Sequence, residues 1–199
     1  MTNQEVANIL QEMSLFYQME GVSFKPQAYE RASESILNLG EELAVLWKKE
    51  GRTGLKKISG VGPAIAAHLE TLLRGKLFPE YLKFKKKYPI DVLELTSLGG
   101  LGPKTLKTLY SKLKIKNSED LERALRRDKF KKIPGFGDKS RQNLLTALEL
   151  RKNYAGRWLL GDVLPLSREL EEKLRDIPGV KRVATAGSIR RRQETIGDI

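Results

Sequence analysis

The sequence predicts a mainly α-helical protein: a helical bundle, then a repeated helical unit, and finally the first helix and strands of an α/β domain. Three observations support this prediction. Apolar residues recur at helical spacing in the first fifty residues. Gly-x-Gly occurs three times in the middle of the chain, each time with matching neighbours. Apolar and polar side chains alternate over residues 180–186, as they do in a β-strand.

The first fifty residues predict three helices. The apolar face of the first helix follows a capping box from Thr2 to Glu5. It consists of Val6, Ile9, Leu10, Met13, Phe16 and Tyr17. Pro26 suits the first turn of a second helix that stops at Gly40, and a third helix begins near Leu43 and ends at Gly51.

The middle of the chain contains an internal repeat. Each copy has an aliphatic residue two positions before a glycine, then Gly-x-Gly with an apolar centre, and a leucine seven residues after the second glycine. The glycine pairs are Gly60 and Gly62, Gly100 and Gly102, and Gly135 and Gly137. Three copies with matching neighbours predict one supersecondary unit that occurs three times.

The second glycine of each pair is predicted to open a helix. Pro63 and Pro103 suit a first helical turn, and Asp138 complements the same end of the third helix. Backbone N–H groups at such an end have no partner in the helix and can bind a phosphate oxygen. A bulky residue at Gly102 is expected to block the phosphate and to strain the hairpin. The alternative is that the glycines only make tight turns between helices.

The distribution of charge also indicates a polyanionic ligand. The chain has a net charge of +12, and residues 51–150 hold 22 Lys and Arg against 10 Asp and Glu. Such a field attracts nucleic acid. Lysines near the glycine pairs add a contribution that does not depend on base sequence. They are Lys56, Lys57, Lys104, Lys131, Lys132 and Lys139.

Composition restricts the other classes of function. The chain has no cysteine, so disulfides and thiolate metal sites are excluded, and its single histidine, His68, excludes His-rich metal sites. The N-terminus lacks the features of a signal peptide, and no apolar run reaches membrane-spanning length. These features predict a cytoplasmic protein with no membrane partner.

The last fifty residues predict a change of fold class. Residues 153–165 are expected to form a loop, followed by a helix that Ser167 caps and that Pro178-Gly179 breaks. Residues 180–186 are expected to form a strand, with residues 196–199 as its sheet partner.

The segment 187–199 has the composition of a phosphate and metal site. Gly187 and Ser188 are small enough for backbone and hydroxyl to approach a triphosphate, Arg191 supplies positive charge, and Asp198 after Gly197 is a candidate Mg²⁺ ligand. Two-metal phosphoryl transfer commonly uses two carboxylates on one face of a strand, two residues apart, and from Asp198 the second would fall at position 200, after the last residue of this sequence.

The repeated unit resembles the helix-hairpin-helix motif, which grips the sugar-phosphate backbone. Together with Gly187-Ser188, Arg190-Arg191 and Gly197-Asp198, it resembles family X DNA polymerases of the bacterial or archaeal type within the nucleotidyltransferase superfamily. The resemblance implies a lyase-like helical domain over residues 1–80 with the first hairpin, DNA-binding fingers over residues 81–155 with two hairpins, and the start of a nucleotidyltransferase palm over residues 156–199.

The resemblance also implies roles for particular residues. Gly187, Ser188, Arg191 and Gly197 would bind the nucleotide, and Asp198 would be the catalytic, metal-binding carboxylate. The residues that would contact DNA are Gly60, Gly62, Gly100, Gly102, Lys104, Gly135, Gly137 and Lys139. Lys25, Tyr29, Lys57 and His68 would form a pocket for a 5′-phosphate.

The expected function is that of the DNA-binding front of a gap-filling repair polymerase, a monomer that binds gapped or primed DNA. Mg²⁺ or Mn²⁺ and a dNTP would act in the longer parent, and a monovalent cation would bind at the hairpins. This chain, expected to stop within the active-site motif, would not polymerise alone. The alternatives are a helix-hairpin-helix scaffold without catalysis and a nucleotidyltransferase that acts on RNA.

Two positions depart from the family pattern. His68 stands where lyase-competent relatives carry a lysine that forms a Schiff base, and Ala64 stands where a second phosphate-binding lysine is usual. An imidazole cannot form the imine that an amine forms. Lyase chemistry by the usual residue is therefore not expected, and the simpler interpretation of His68 is a partly buried helix residue.

Overall fold

The structure, a computed structural model, describes residues 1–127, 130, 133, 136–154 and 158–197. The helices of the first part are α1 (Asn3–Glu20), α2 (Lys25–Leu37), α3 (Leu43–Leu55), α4 (Pro63–Leu73), α5 (Pro79–Lys87), α6 (Val92–Ser97), α7 (Pro103–Leu113), α8 (Ser118–Arg126) and α9 (Asp138–Tyr154). The remaining elements are β1 (Trp158–Leu159), α10 (Leu160–Arg175), α11 (Gly187–Arg190) and β2 (Thr195–Ile196).

The chain forms two compact units, residues 1–148 and residues 149–199. The predicted mainly helical fold is confirmed, while the domain limits at residues 80 and 155 stay predictions. None of the helices in the described ranges has the length and apolar character needed to cross a membrane.

The three helices predicted for the first fifty residues are present. Thr2 Oγ1 accepts a hydrogen bond from the Glu5 backbone N–H at 3.2 Å, and the Glu5 carboxylate accepts one from the Thr2 N–H at 2.8 Å, which completes the capping box. Gly51 interrupts the third helix as predicted, because its φ of 59° and ψ of −150° are not helical. A further helical stretch follows it to Leu55.

Helix α1 lies at the centre of the first unit. Its side chains Val6, Leu10, Met13 and Phe16 are fully buried, and the helix packs against α2, α5, α6 and α7. The core that begins with these residues extends through every helix of the unit to Leu148 in α9. One hydrophobic core therefore supports all three repeated units.

Two carboxylates on α1 fasten other helices to it. Glu12 is buried and accepts hydrogen bonds from the Tyr81 hydroxyl at 2.5 Å and from Lys85 Nζ at 3.1 Å, both on α5. Glu20 pairs with Lys87 Nζ at 2.9 Å and with Lys107 Nζ of α7 at 3.5 Å. Glu20 also accepts a hydrogen bond from the Tyr88 hydroxyl.

In the second unit, α10 begins earlier than predicted. The expected loop over residues 153–165 is wrong for residues 153–154 and 160–165, which are helical, and for Trp158–Leu159, which form β1. Ser167 is buried within α10 rather than capping it. The loop was predicted because proline usually interrupts a helix. Pro165 lies near the start of α10, where its missing N–H removes one backbone hydrogen bond, to the Gly161 carbonyl, and the helix continues.

The strand predicted over residues 180–186 is also wrong, because these residues join no ladder in the described part of the chain. The two-stranded sheet instead pairs β1 with β2 in antiparallel register, with Trp158 opposite Ile196. Alternation shows which side chains share a face, but a strand forms only where a partner supplies backbone hydrogen bonds. Of the predicted partner segment, Ile196 is in the sheet, and Asp198 and Ile199 lie outside the described residues.

We expect Gly60→Ala to lower the free energy of unfolding by about 2–4 kcal/mol, which combines backbone strain with overpacking. Gly60 has φ of 81°, and a Cβ there would lie 2.7 Å from the Ala32 backbone nitrogen. The matched control is Gly62→Ala, because Gly62 has φ of −80° and open space around it. Urea denaturation of both variants checks this, and equal stabilities would contradict it.

The lowered pKa of Glu20 predicts that the free energy of unfolding depends on pH. Hydrogen bonds from Tyr88 and Lys87 lower the pKa of Glu20 from 4.5 to about 2. Its contribution to stability is therefore complete above about pH 4.5 and is lost as the pH falls through about 2. We expect Glu20→Gln to cost about 1–3 kcal/mol at pH 7, and this difference from the wild type should shrink below pH 4.5.

The control for this measurement is Glu41→Gln, which removes an exposed pair with Lys49. Exposed pairs contribute about 0–1 kcal/mol. Chemical denaturation at several pH values should thus show little effect of this change. A Glu20→Gln difference that stays constant from pH 7 to pH 2 would contradict the assignment.

Candidate functional site

The first glycine of the first two repeats forms the turn between two helices. Gly60 and Gly100 have φ of 81° and 72°, a backbone conformation that glycine adopts without strain. The apolar residues at the centres of the first two repeats, Val61 and Leu101, are buried. Gly135 lies outside the described residues, but the third centre, Phe136, packs edge-to-face on Phe130 at 5.1 Å.

The second glycine of each repeat opens a helix in the same way. The Gly62, Gly102 and Gly137 carbonyls accept the first helical hydrogen bonds, from the N–H groups four residues later, at 2.9, 3.0 and 3.1 Å. Each of these glycines is exposed, and nothing lies within 4 Å of the position that a Cβ would take. The predicted helix starts are therefore present, and all three face open space.

These helix starts offer backbone donors to a ligand. Gly62 and Gly102 supply no capping side chain, so the N–H groups of the first turns of α4 and α7 have no intrahelical acceptor. The starts of α7 and α9 line one cavity of about 330 Å³, to which Gly100 and Thr105 contribute from one side and Ser140 and Asn143 from the other. The first turns of two equivalent units thus border one cavity.

The structure corrects one expectation about Gly102. Its φ of −76° is ordinary for any residue, and the space around it is open. A side chain there would not strain the hairpin, contrary to the prediction. It would only cover the donors at the start of α7.

Positive charge lies beside these helix starts. Lys104 and Lys139, in the first turns of α7 and α9, are exposed and form no ion pair within the described part of the chain. Lys131 and Lys132 lie outside the described residues. Lys57 pairs with Glu50 at 2.7 Å, so its charge is partly neutralised.

A second site combines residues from α1, α2, α4 and α5. Lys25 Nζ donates a hydrogen bond to the Tyr17 hydroxyl at 3.1 Å, and the Tyr29 hydroxyl bonds His68 Nδ1 at 2.9 Å. The rings of Tyr17 and Tyr29 are in contact, with centroids 5.4 Å apart. Three of the four residues predicted for a phosphate pocket, Lys25, Tyr29 and His68, thus share one cluster, and Lys57 pairs elsewhere.

His68 is held in place from several sides. Its ring stacks on Phe78 with centroids 4.0 Å apart and planes 3° from parallel. Burial lowers the pKa of His68 below its ordinary value of 6.5, while the Glu80 charge raises it and Lys25 lowers it further. Burial also raises the pKa of Tyr29 to about 12. Both side chains are therefore neutral at pH 7.

Sequence reasoning missed Glu80, which lies in the middle of this cluster. Its carboxylate is 3.5 Å from Lys25 Nζ and 4.0 Å from His68 Nε2. Burial, together with a hydrogen bond to Glu80, raises the pKa of Tyr17. In the sequence, Glu80 follows Pro79 in the first turn of α5, where an acidic residue is ordinary, so no local signal distinguished it.

The C-terminal motif lies in the second unit. Gly187 has φ of 59° and begins α11, which contains Ser188 and is followed by the exposed Arg191. Helix α11 packs against β2, and Gly197 follows that strand directly. The motif is thus assembled around one short sheet, although Asp198 lies outside the described residues.

The described residues contain no group of three His, Cys, Asp or Glu side chains that could hold a metal ion. A two-metal centre needs several carboxylates on one face. The carboxylates of the motif are Glu194 and Asp198, and Asp198 lies outside the described residues. The described residues therefore contain no complete magnesium centre.

Comparison with known families identifies the repeated unit. Residues 1–77 match a model described as a helix-hairpin-helix domain, and residues 92–152 match one described as a SAM-like helix-hairpin-helix tandem. The chain therefore contains helix-hairpin-helix domains. The matched segments agree with the prediction of three hairpins, because the first segment includes the first Gly-x-Gly and the second includes the other two.

The resemblance to family X DNA polymerases is also confirmed. The chain is 25% identical over 200 residues to the DNA polymerase/3′-5′ exonuclease PolX of Bacillus subtilis (strain 168). The match covers all of this chain and 34% of that relative's length. The similarity thus includes the hairpins and the C-terminal motif together.

His68, the single histidine, allows a direct test of the cluster. We expect it to titrate below pH 6.5, because burial disfavours the charged ring. Glu80→Gln should lower the pKa of His68 further, since the Glu80 charge raises it, and Lys25→Gln should raise it. Ring-proton NMR over pH 4–8 measures all three. A His68 pKa unchanged in both variants would contradict the described contacts.

Proposed function

We propose that the chain is the DNA-binding front part of a family X DNA polymerase that fills gaps during DNA repair. One observation carries this proposal most strongly. Three helix starts follow an exposed glycine with open space around it, and two of them line the same cavity. The similarity to PolX along the whole chain supports the same conclusion.

In the proposed interaction, phosphate oxygens accept hydrogen bonds from the N–H groups at the starts of α4, α7 and α9. The partial positive charge of each helix end and the neighbouring Lys104 and Lys139 favour the anion. Phosphates are the same at every base step, so these contacts carry no sequence information. The chain is thus proposed to hold DNA of any sequence.

The remaining site residues have proposed roles in a longer parent. Gly187, Ser188, Arg191 and Gly197 would bind the phosphates of a dNTP, and Asp198 would contribute one carboxylate to a Mg²⁺ site. Lys25, Tyr29 and His68 would surround a 5′-phosphate at a gap. Since His68 provides no amine, and the Lys25 ammonium contacts the Tyr17 hydroxyl and the Glu80 carboxylate, we propose that this cluster binds rather than cleaves.

DNA binding should depend steeply on salt and little on sequence. If about 4–6 phosphates are neutralised, log K should fall against log salt with a slope of roughly −4 to −5. Gly102→Val should weaken binding by on the order of 1–3 kcal/mol, because the side chain covers donors at the start of α7. Fluorescence anisotropy with gapped duplexes of two scrambled sequences measures these quantities.

The matched control is Gly40→Val, since Gly40 also has open space around it and lies outside the hairpins. This variant should bind DNA like the wild type, and circular dichroism should show that both variants are folded. A shallow salt slope, strong sequence preference, or wild-type affinity in a folded Gly102→Val variant would each refute the proposal.

A further inference from the structure

The Glu80 carboxylate is surrounded by groups that favour an anion. Lys25 Nζ lies 3.5 Å from one of its oxygens and His68 Nε2 lies 4.0 Å from the other. The Tyr17 hydroxyl accepts a hydrogen bond from Lys25, and the neighbouring Glu80 carboxylate helps to raise the pKa of Tyr17. Groups from α1, α2 and α4 thus converge on one carboxylate from α5.

A carboxylate and a terminal phosphate have the same requirements for such a site. Both are oxyanions that accept hydrogen bonds from ammonium, hydroxyl and imidazole N–H groups. Because the Glu80 carboxylate lies 3.5 Å from Lys25 Nζ and 4.0 Å from His68 Nε2, an incoming phosphate would meet a like charge beside the same cationic and imidazole groups. A phosphate can bind there only if Glu80 leaves.

The surroundings of Glu80 allow it to leave. Its side chain is 38% exposed, so it lies at the opening of the cluster and not in its interior. It also borders a cavity of about 500 Å³ that Glu20, Lys83 and Lys87 line. Lys87 is paired with Glu20, so Lys83 is the lysine of this cavity that a rotated Glu80 side chain could approach.

We propose that Glu80 is an internal competitor for the anion site formed by Lys25, Tyr17 and His68, and that it lowers the affinity of this site for a terminal 5′-phosphate on DNA. The inference rests on the proposed function, because it assumes that the cluster meets a DNA end. It assigns to Glu80 the role of a specificity-determining residue. The opposite role, in which Glu80 positions Lys25 for the phosphate, predicts the opposite result below.

The test compares two gapped duplexes that differ only in a 5′-phosphate or a 5′-hydroxyl on the downstream strand. Removing a like charge a few ångströms from the phosphate should raise the ratio of the two affinities about fivefold in Glu80→Gln relative to the wild type. The control Glu41→Gln removes the same charge outside the cluster, and should leave the ratio unchanged. A ratio that is unchanged or lower in Glu80→Gln would overturn the proposal.

The double variant Lys25→Gln/Glu80→Gln tests whether the gain in affinity for the 5′-phosphate requires Lys25. The gain in Glu80→Gln depends on the freed Lys25 ammonium, so it should be lost in the double variant. A gain that persists without Lys25 would show that the effect is a general one of net charge, and would also overturn the proposal.

A separate measurement keeps this inference distinguishable from the proposed function. Inorganic phosphate can be titrated into the wild type and Glu80→Gln while the ring-proton NMR signals of His68 are followed. Glu80→Gln should reach half of its signal change at about one fifth of the phosphate concentration or less. Equal midpoints would refute the competitor role, whereas absent DNA binding with shifted midpoints would refute only the proposed function.

Discussion

Burial of one face of helix α1 is the constraint on which the first unit depends. Its fully buried side chains, such as Leu10 and Phe16, touch helices that come from well-separated parts of the chain. The first hairpin is connected to α1 through α2, because Gly60 packs on the backbone of Ala32. The second hairpin contacts α1 directly through α7. The helix starts are thus positioned by a common core and not by their loops.

The segregation of charge along the sequence has a structural role as well as a functional one. The first fifty residues have 8 acidic against 4 basic residues, whereas the next hundred are strongly basic. Glu12 and Glu20 from the acidic segment pair with Lys85, Lys87 and Lys107 from the basic segment. Part of the positive charge therefore holds the unit together. The lysines at the helix starts, where a polyanion would bind, remain exposed.

Elements with a local cause could be predicted from the sequence. The capping box at Thr2, the glycine turns and the helix starts after Gly62 and Gly102 depend on residues a few positions apart, and the structure has them where predicted. Elements that depend on a partner far away in the sequence could not be predicted in this way. Residues 180–186 alternate like a strand, yet the ladder forms between Trp158–Leu159 and Thr195–Ile196, a pairing that no local pattern indicates.

The same distinction separates the two candidate sites. A helix start binds an anion through backbone groups of one short segment, so the sequence of that segment is enough to identify it. The cluster around Glu80 is made of side chains from four helices, and its charge balance depends on all of them. The sequence suggested Lys25, Tyr29 and His68 through their resemblance to a phosphate pocket. Only the fold shows that Glu80 already occupies the position between Lys25 and His68, which turns an apparently basic pocket into a self-neutralised one.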